Sequence, residues 1–329
     1  MLPELKKQQS KQGELHQSSS IERWLDWEVS AFGDMAMLAK FRCNYLCSGT
    51  MDWPCRPPAY RLKYKNENDG AAVLNPEFFS LARKVSPVIS KSYWLDKMRG
   101  KKWLRSEFIK SRQALGSSDG DWFSDNLVGQ PFHIKVNGRI VTEPLIRHGY
   151  YIRQLLSLFP AICHEPLIIF EIGGGYGSLA RFLKRLNPNI KVILTDLPER
   201  IALQYYYLSE SFRNIDIAVA VVTGNVLDLN ADFILLPTWK LPMLSEASID
   251  LVINTHSMQE MTLEQVAYYV EHIERVTKHT FYCVNRYEKK IGYQIIRYPA
   301  EQVGSKWHIV YDAPEPSNDA IREVMLIRR

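Results

Sequence analysis

Five continuous apolar runs recur through the second half of the chain, with stretches of helical spacing between them. They are Leu167-Ile-Ile-Phe-Glu-Ile, Lys191-Val-Ile-Leu-Thr-Asp, Ala218-Val-Ala-Val-Val-Thr, Ile249-Asp-Leu-Val-Ile-Asn and Thr280-Phe-Tyr-Cys-Val-Asn. None alternates polar with apolar as a half-exposed strand would, so each suits a strand buried on both faces. Between them, Leu179, Phe182, Leu183 and Leu186 recur at i, i+3, i+4 and i+7, with Arg181, Lys184 and Arg185 opposite. Val266, Tyr269, Val270 and Ile273 repeat that spacing behind a Thr262…Gln265 capping box. Strands alternating with helices predict a doubly wound α/β fold around a mostly parallel sheet. Two further β-rich runs, Trp307-His-Ile-Val-Tyr and Arg322-Glu-Val-Met-Leu-Ile, predict an antiparallel pair and bring the expected sheet to seven strands.

The first half reads differently. Residues 1–20 are rich in Lys, Gln and Ser and predict a disordered tail. Residues 21–143 carry two helical stretches, over 21–40 and 76–115, and predict a helix-rich cap that contributes to substrate binding. His133-Ile-Lys-Val-Asn-Gly-Arg-Ile-Val predicts a hairpin with Asn137-Gly138 at its tip. From Pro144 the spacing returns to helix, with Leu145, Tyr151, Leu155 and Leu158 on one face, and a Rossmann-like domain is expected over 144–329. Six of the eight tryptophans (Trp24, Trp27, Trp53, Trp94, Trp103 and Trp122) fall before residue 143. They suit a helical core, or a lid whose flat rings meet a sugar.

Lys plus Arg number 41 against 36 Asp plus Glu, a surplus of 5 spread along the chain. The basic cluster Arg99 to Arg105 is interleaved with Trp103 and Leu104, which suits a solvated helix face rather than a nucleic-acid stripe. No run reaches the ~18 apolar residues of a membrane span. The five cysteines show no disulfide spacing, and Cys43, Cys47 and Cys55 lack a fourth metal ligand nearby. With no apolar leader at the N-terminus, a cytoplasmic protein is expected.

Glu171-Ile-Gly-Gly-Gly-Tyr-Gly-Ser178 stands where a buried strand hands over to an amphipathic helix, the place at which an open α/β sheet offers a ligand crevice. A dinucleotide turn would need a third small glycine or alanine at position 178, where this chain has Ser178. A carboxylate two residues before the first glycine would repel a pyrophosphate and attract a cation. Asp196 ends the next strand, at the offset of a ribose-binding acid, and also immediately precedes a helix start at Pro198. Asn225, after the expected third strand, is a candidate for adenine contact. Asn254-Thr-His-Ser-Met-Gln-Glu260 follows the fourth and supplies an imidazole and a carboxylate to the same edge. His256 is the candidate general base and Glu260 its partner or a holder of a substrate hydroxyl. Asp250 lies inside the strand pattern, so no metal is expected.

These residues resemble class I S-adenosylmethionine-dependent methyltransferases. Phe170-Glu-Ile-Gly-Gly-Gly-Tyr-Gly is similar to the first motif of that class, and Thr195-Asp-Leu-Pro-Glu to its ribose-binding strand end. More narrowly, three segments resemble the sugar O-methyltransferase family: the glycine turn, Asp196-Leu-Pro-Glu with the Tyr205-Tyr-Tyr-Leu helix, and Asn254-Thr-His-Ser-Met-Gln-Glu-Met with Tyr282-Cys-Val-Asn-Arg. The resemblance covers residues 144–286. It implies S-adenosylmethionine as cofactor, with Glu171, Gly173, Gly175 and Gly177 on the methionine side. Asp196 with Leu197 would take the ribose, Asn225 with Val226 the adenine, and Asn254 and Thr255 would complete the shell. The implied reaction is methyl transfer to a hydroxyl of a sugar or glycosylated metabolite. The expected partner is a small molecule or glycan, not nucleic acid, for a monomer or a homo-oligomer. The absence of an Asn/Asp-Pro-Pro-aromatic turn favours oxygen over nitrogen acceptors. Two alternatives stay open: an NAD-dependent oxidoreductase, and a scaffold that kept the fold without the chemistry.

Overall fold

The computed structural model describes residue 42 and residues 87–116, 119–220, 224–291, 294–297, 304, 306–316 and 318–329. The expected tail, the helical stretch over 21–40, the three close cysteines, Trp24, Trp27 and Trp53 lie outside them, as does the side chain of Trp94. The chain divides into two compact units, residues 23–151 and, among the described residues, 152–329.

In the first unit α1 spans Pro87–Leu115, followed by a two-stranded hairpin of β1 (Ile134–Val136) and β2 (Arg139–Val141). Asn137 and Gly138 both have positive φ, 49° and 79°, as the expected Asn-Gly turn requires. Leu104 and Phe108 of α1 are buried, and Phe108 stacks on Phe123 with centroids 5.4 Å apart. Trp122, also buried, packs against Phe123 and so fills core, whereas Trp103 is exposed. Arg42 is fully buried and pairs with Asp125 at 2.5 Å, to which Thr142 also donates. Helix α2 spans Glu143–Leu158, within one residue of the expected helix, and the division between the units falls inside it.

The second unit is built on β3 (Ile168–Ile172), α3 (Ser178–Leu186), β4 (Lys191–Asp196), α4 (Pro198–Ser211), β5 (Ile217–Val219) and β6 (Phe233–Pro237). Then follow β7 (Ile249–Thr255), α5 (Leu263–Val276), β8 (Thr277–Arg286), a small hairpin of β9 (Glu288–Ile291) and β10 (Gln294–Arg297), β11 (Trp307–Glu315) and β12 (Asn318–Arg328). The sheet order is β11-β12-β8-β7-β3-β4-β6-β5. Strands β8 through β5 run parallel, while β12 is antiparallel to both β8 and β11. Strands β3, β4, β6 and β7 are almost wholly buried, as unalternating apolar runs should be. The Thr262–Gln265 capping box opens α5 with both reciprocal bonds present. No helix among the described residues is long and apolar enough to cross a membrane.

The sheet has eight strands where seven were expected, and the additional one is β6. It lies between β4 and β5, so the expected third strand is displaced to the outer edge and shortened to three residues. Phe233-Ile-Leu-Leu is apolar enough for a buried strand, but it ends on Pro237, which argues against a central position. The structure resolves that conflict simply. Strand β5 pairs as far as Val219 with Leu235, and the Ala220 N–H still donates to the Leu235 carbonyl, so the β5 ladder stops where Pro237 has no N–H to continue it.

Charged side chains tie the amino edge of this sheet. Lys184 at the end of α3 bonds Asp232 and the Ile190 carbonyl, both at 2.6 Å. Lys191 donates to the carbonyls of Leu229 and Leu227, and Lys278 to Asp250 at 3.0 Å. Asp250 also accepts the Ile168 N–H.

Candidate active site

The chain leaves β3 toward β4 on one side and returns to β7 on the other, so the carboxyl ends of β3 and β7 flank a topological switch point. Ligand crevices of open α/β sheets form at such points. The segments following the two strands, residues 173–177 and 256–260, meet there.

Gly173, Gly175 and Gly177 all have positive φ, at 72°, 58° and 90°. Two of them need glycine for opposite reasons. A Cβ on Gly173 would lie 2.2 Å from both Cβ and Oγ of Ser257, so this residue lets the two turns close on each other. A Cβ on Gly175 would meet nothing within 4 Å and would project into open space. Gly175 therefore keeps a space clear for something to approach the backbone. Gly177 is the N-cap of α3.

Glu171 lies beneath this turn, 2% exposed. Its carboxylate takes a hydrogen bond from the Ala180 N–H, but Oε2 has no hydrogen-bond partner. Burial, and then the charge of Asp196, push its carboxyl up to about 8. A buried carboxylate with an unmatched oxygen is costly and suited to a cationic partner. Asp196 sits at the carboxyl end of β4 with Oδ2 accepting the Gly175 N–H at 3.0 Å and Oδ1 the Leu197 N–H at 2.8 Å. Gln204 of α4, absent from the sequence reading, joins the two. Its Nε2 donates to the Gly175 carbonyl at 3.0 Å and reaches Asp196 at 3.5 Å, while its buried Oε1 is unmatched. The fit of an amine-bearing, ribose-bearing ligand rests on these orphaned acceptors and on the open space over Gly175.

Asn225 and Val226 are not part of this crevice. Asn225 caps a short 3-10 turn over Val226–Asp228 and lies within 3.3 Å of Ser245, three residues before the amino edge residue Ser248. Lys191, the first residue of β4, donates to the carbonyls of Leu227 and Leu229 beside it. Residues 225–229 thus lie at the amino edge, opposite the glycine turn. The residues that do leave the sheet beside Asp196 follow β6, where Pro237 is in register with Asp196. Thr238 and Trp239 come next, both buried. The signal for them was the Phe233-Ile-Leu-Leu run, of the same kind as the other buried strands.

Asn254 is fully buried and spent on structure. Its Nδ2 donates to the Ile172 carbonyl at 2.9 Å and to Ser257 Oγ at 2.5 Å, and its Oδ1 accepts from Asn285 Nδ2 at 2.7 Å. Asn285 Oδ1 takes the Gln259 N–H, and Gln259 Oε1 takes the Arg286 N–H. Thr255, the last residue of β7, is half-buried and in register with Val284. This network clamps the turn that carries His256, whose φ of 62° is uncommon for a side-chain-bearing residue. The His256 N–H donates to the Val284 carbonyl at 2.7 Å. Glu260 lies in the following 3-10 turn, Met258–Glu260, and is exposed. Asp250 is at the opposite edge, and among the described residues no group of three His, Cys, Asp or Glu side chains could hold a metal.

No family model matches the chain, and no curated protein does. Among solved structures, 517 chains match. A magnesium protoporphyrin IX methyltransferase from Synechocystis PCC 6803 with bound SAH is 13% identical over 71% of this chain and 99% of its own, at a TM-score of 0.40. A SAM dependent methyltransferase from Aquifex aeolicus is 12% identical over 55% and 98%, at 0.32. The mitomycin 7-O-methyltransferase MmcR is 12% identical over 57% and 58%, at 0.36. The parallel strands, the switch point between β3 and β7 and the alternating helices make residues 152–329 a Rossmann-like α/β fold.

Proposed function

We propose that the chain is an S-adenosylmethionine-dependent methyltransferase acting on a hydroxyl of a sugar or glycosylated metabolite. The observation that carries this reading is the buried Glu171 with its unmatched oxygen, set two residues before a turn whose Gly175 faces open space. Glu171 would hold the ammonium of the donor's methionine portion, Asp196 the ribose hydroxyls and Trp239 the face of the adenine. When bound, the donor would supply an electrophilic methyl group on a sulfonium, whose S–CH₃ bond breaks to leave a neutral thioether. His256 takes the proton that the acceptor hydroxyl loses as its oxygen forms the new bond to carbon. Most of the remaining work is alignment, and the Asn254–Asn285–Gln259 clamp serves it by fixing the His256 turn against the end of β3. The sugar acceptor is supported by the resemblance of residues 254–261 and 282–286 noted above.

Calorimetric titration of the full chain with S-adenosylhomocysteine and with NAD tests the donor. Micromolar binding of the first and none of the second is expected; the reverse result overturns the reading in favour of an oxidoreductase. Incubating a glycan pool with an isotopically labelled methyl donor, followed by mass spectrometry, then identifies the acceptor. Label found only on amines would remove the hydroxyl assignment.

A further inference from the structure

Residues 23–151 contain a groove of about 540 Å³ lined by Lys101, Lys102 and Arg105 from α1 and by His133, Ile134 and Lys135 from the first arm of the hairpin. The four Lys and Arg side chains are exposed residues, and among the described residues none of them makes an ion pair. Among the described residues of this unit, several acids serve other cations. Asp119 holds both Arg112 and Arg139, Glu107 holds Lys110, Asp125 holds Arg42, and Glu143 reaches Arg147. Lys101 and Arg105 stand at i and i+4 on one helix, where like charges repel. The hairpin adds Lys135 to that field instead of an acid. A concave surface that gathers this much unbalanced positive charge is suited to a compact ligand with several negative charges.

We propose that this groove binds the diphosphate group of a small molecule, such as a nucleoside diphosphate. Its volume is that of a small-molecule site. The Arg105 guanidinium offers a planar fork to phosphate oxygens, and the lysines supply point charges around it. Ile134 gives the groove an apolar element against which an attached group can rest. A nucleic acid duplex would need cations strung along an extended stripe, whereas those that α1 gives to the groove, Lys101 to Arg105, span little more than one helical turn. The inference is independent of the methyl-transfer reading, because it concerns side chains of the other unit.

The test is calorimetric titration of the full chain with pyrophosphate at low ionic strength, with inorganic phosphate, duplex DNA and phosphatidylserine vesicles as comparisons. Pyrophosphate should bind, phosphate roughly tenfold more weakly, and affinity should fall as salt rises. The triple variant Lys101→Ala/Arg105→Ala/Lys135→Ala should lose at least about tenfold in affinity, and Lys102→Glu alone should weaken binding in the same direction. Both should keep the thermal midpoint and the S-adenosylhomocysteine titration of the unaltered chain. Equal pyrophosphate affinity in the triple variant, no binding at any salt, or binding confined to duplex or vesicles would each overturn the proposal.

Discussion

Gly173 and Ser257 touch so closely that a single methyl group on the glycine would fall 2.2 Å from both side-chain atoms of the serine. Two turns far apart in the chain are thereby pressed into one surface. Gly173→Ala combines that clash with a left-handed backbone and should cost about 2–5 kcal/mol. Gly175→Ala adds only the backbone term, about 1–2 kcal/mol. The two variants should separate by assay: thermal melting should show the larger loss for Gly173→Ala. Gly175→Ala should stay folded and lose affinity for S-adenosylhomocysteine, because its new methyl group occupies the approach. A Gly175→Ala protein that binds as tightly as before would show that nothing approaches the backbone there.

Glu171 makes stability and ligand binding respond oppositely to pH. Its carboxyl is held at about 8, against 4.5 for the ordinary group. Between those values the folded chain keeps a proton that the unfolded chain has lost, so stability present at low pH declines as pH rises through that window. The total effect is roughly a few kcal/mol. A donor ammonium needs the carboxylate, so affinity should rise with pH until about 8 and then level off. Glu171→Gln should flatten both profiles and weaken binding at pH 8. Unchanged pH dependence of melting and of titration in that variant would clear Glu171 of both roles.

The placement of β6 gives a paired test of where the adenine lies. Trp239→Ala should reduce S-adenosylhomocysteine affinity by about tenfold or more, the scale of losing one aromatic contact face. Asp196→Ala should reduce it at least as much, since it also removes the acceptor of the Gly175 N–H. Asn225→Ala, at the far edge of the sheet, should change it less than about twofold. Loss of binding in the Asn225 variant with none in the Trp239 variant would reverse the assignment.

His256 and Asn285 should fail in distinguishable ways. His256→Ala should lower turnover by about 10²–10⁴-fold and leave donor affinity nearly intact. Asn285→Ala strips partners from Asn254 and from the Gln259 N–H, at a cost of about 1–3 kcal/mol. It should slow turnover while leaving the pH profile of turnover as it is in the unaltered chain. If both variants ran at full speed with a verified acceptor, the turn after β7 would not be the catalytic element.

The fold was largely legible because it depends on burial. Strands covered on both faces cannot afford polar alternation, and runs such as Ile249-Asp-Leu-Val-Ile-Asn carry that constraint openly. The hairpin tip and the capping box were legible for local reasons, since Asn137-Gly138 and Thr262…Gln265 satisfy their own backbones. Strand β6 is short and ends on Pro237, at which the β5 ladder stops. With β6 omitted, the expected adenine contact fell on Asn225, at the amino edge. Asn254 was harder still: a buried amide and a ligand-facing amide look alike until the partners at Ile172, Ser257 and Asn285 are known. Gln204 comes from the middle of a helix and reaches the turn only through tertiary packing.

The lysine pairs beneath the sheet imply that its two rims answer to different stimuli. One rim is fastened by ammonium groups on Asp232, on Asp250 and on backbone carbonyls, the other by amides and close-fitting glycines. Added electrolyte weakens the more exposed ammonium, Lys278 on Asp250, more than the buried Lys184 or the amides. Raising ionic strength should therefore speed exchange of the Ile168 amide held by Asp250 before it disturbs the Asn254 amide cluster, leaving the glycine-turn rim firm while its base softens.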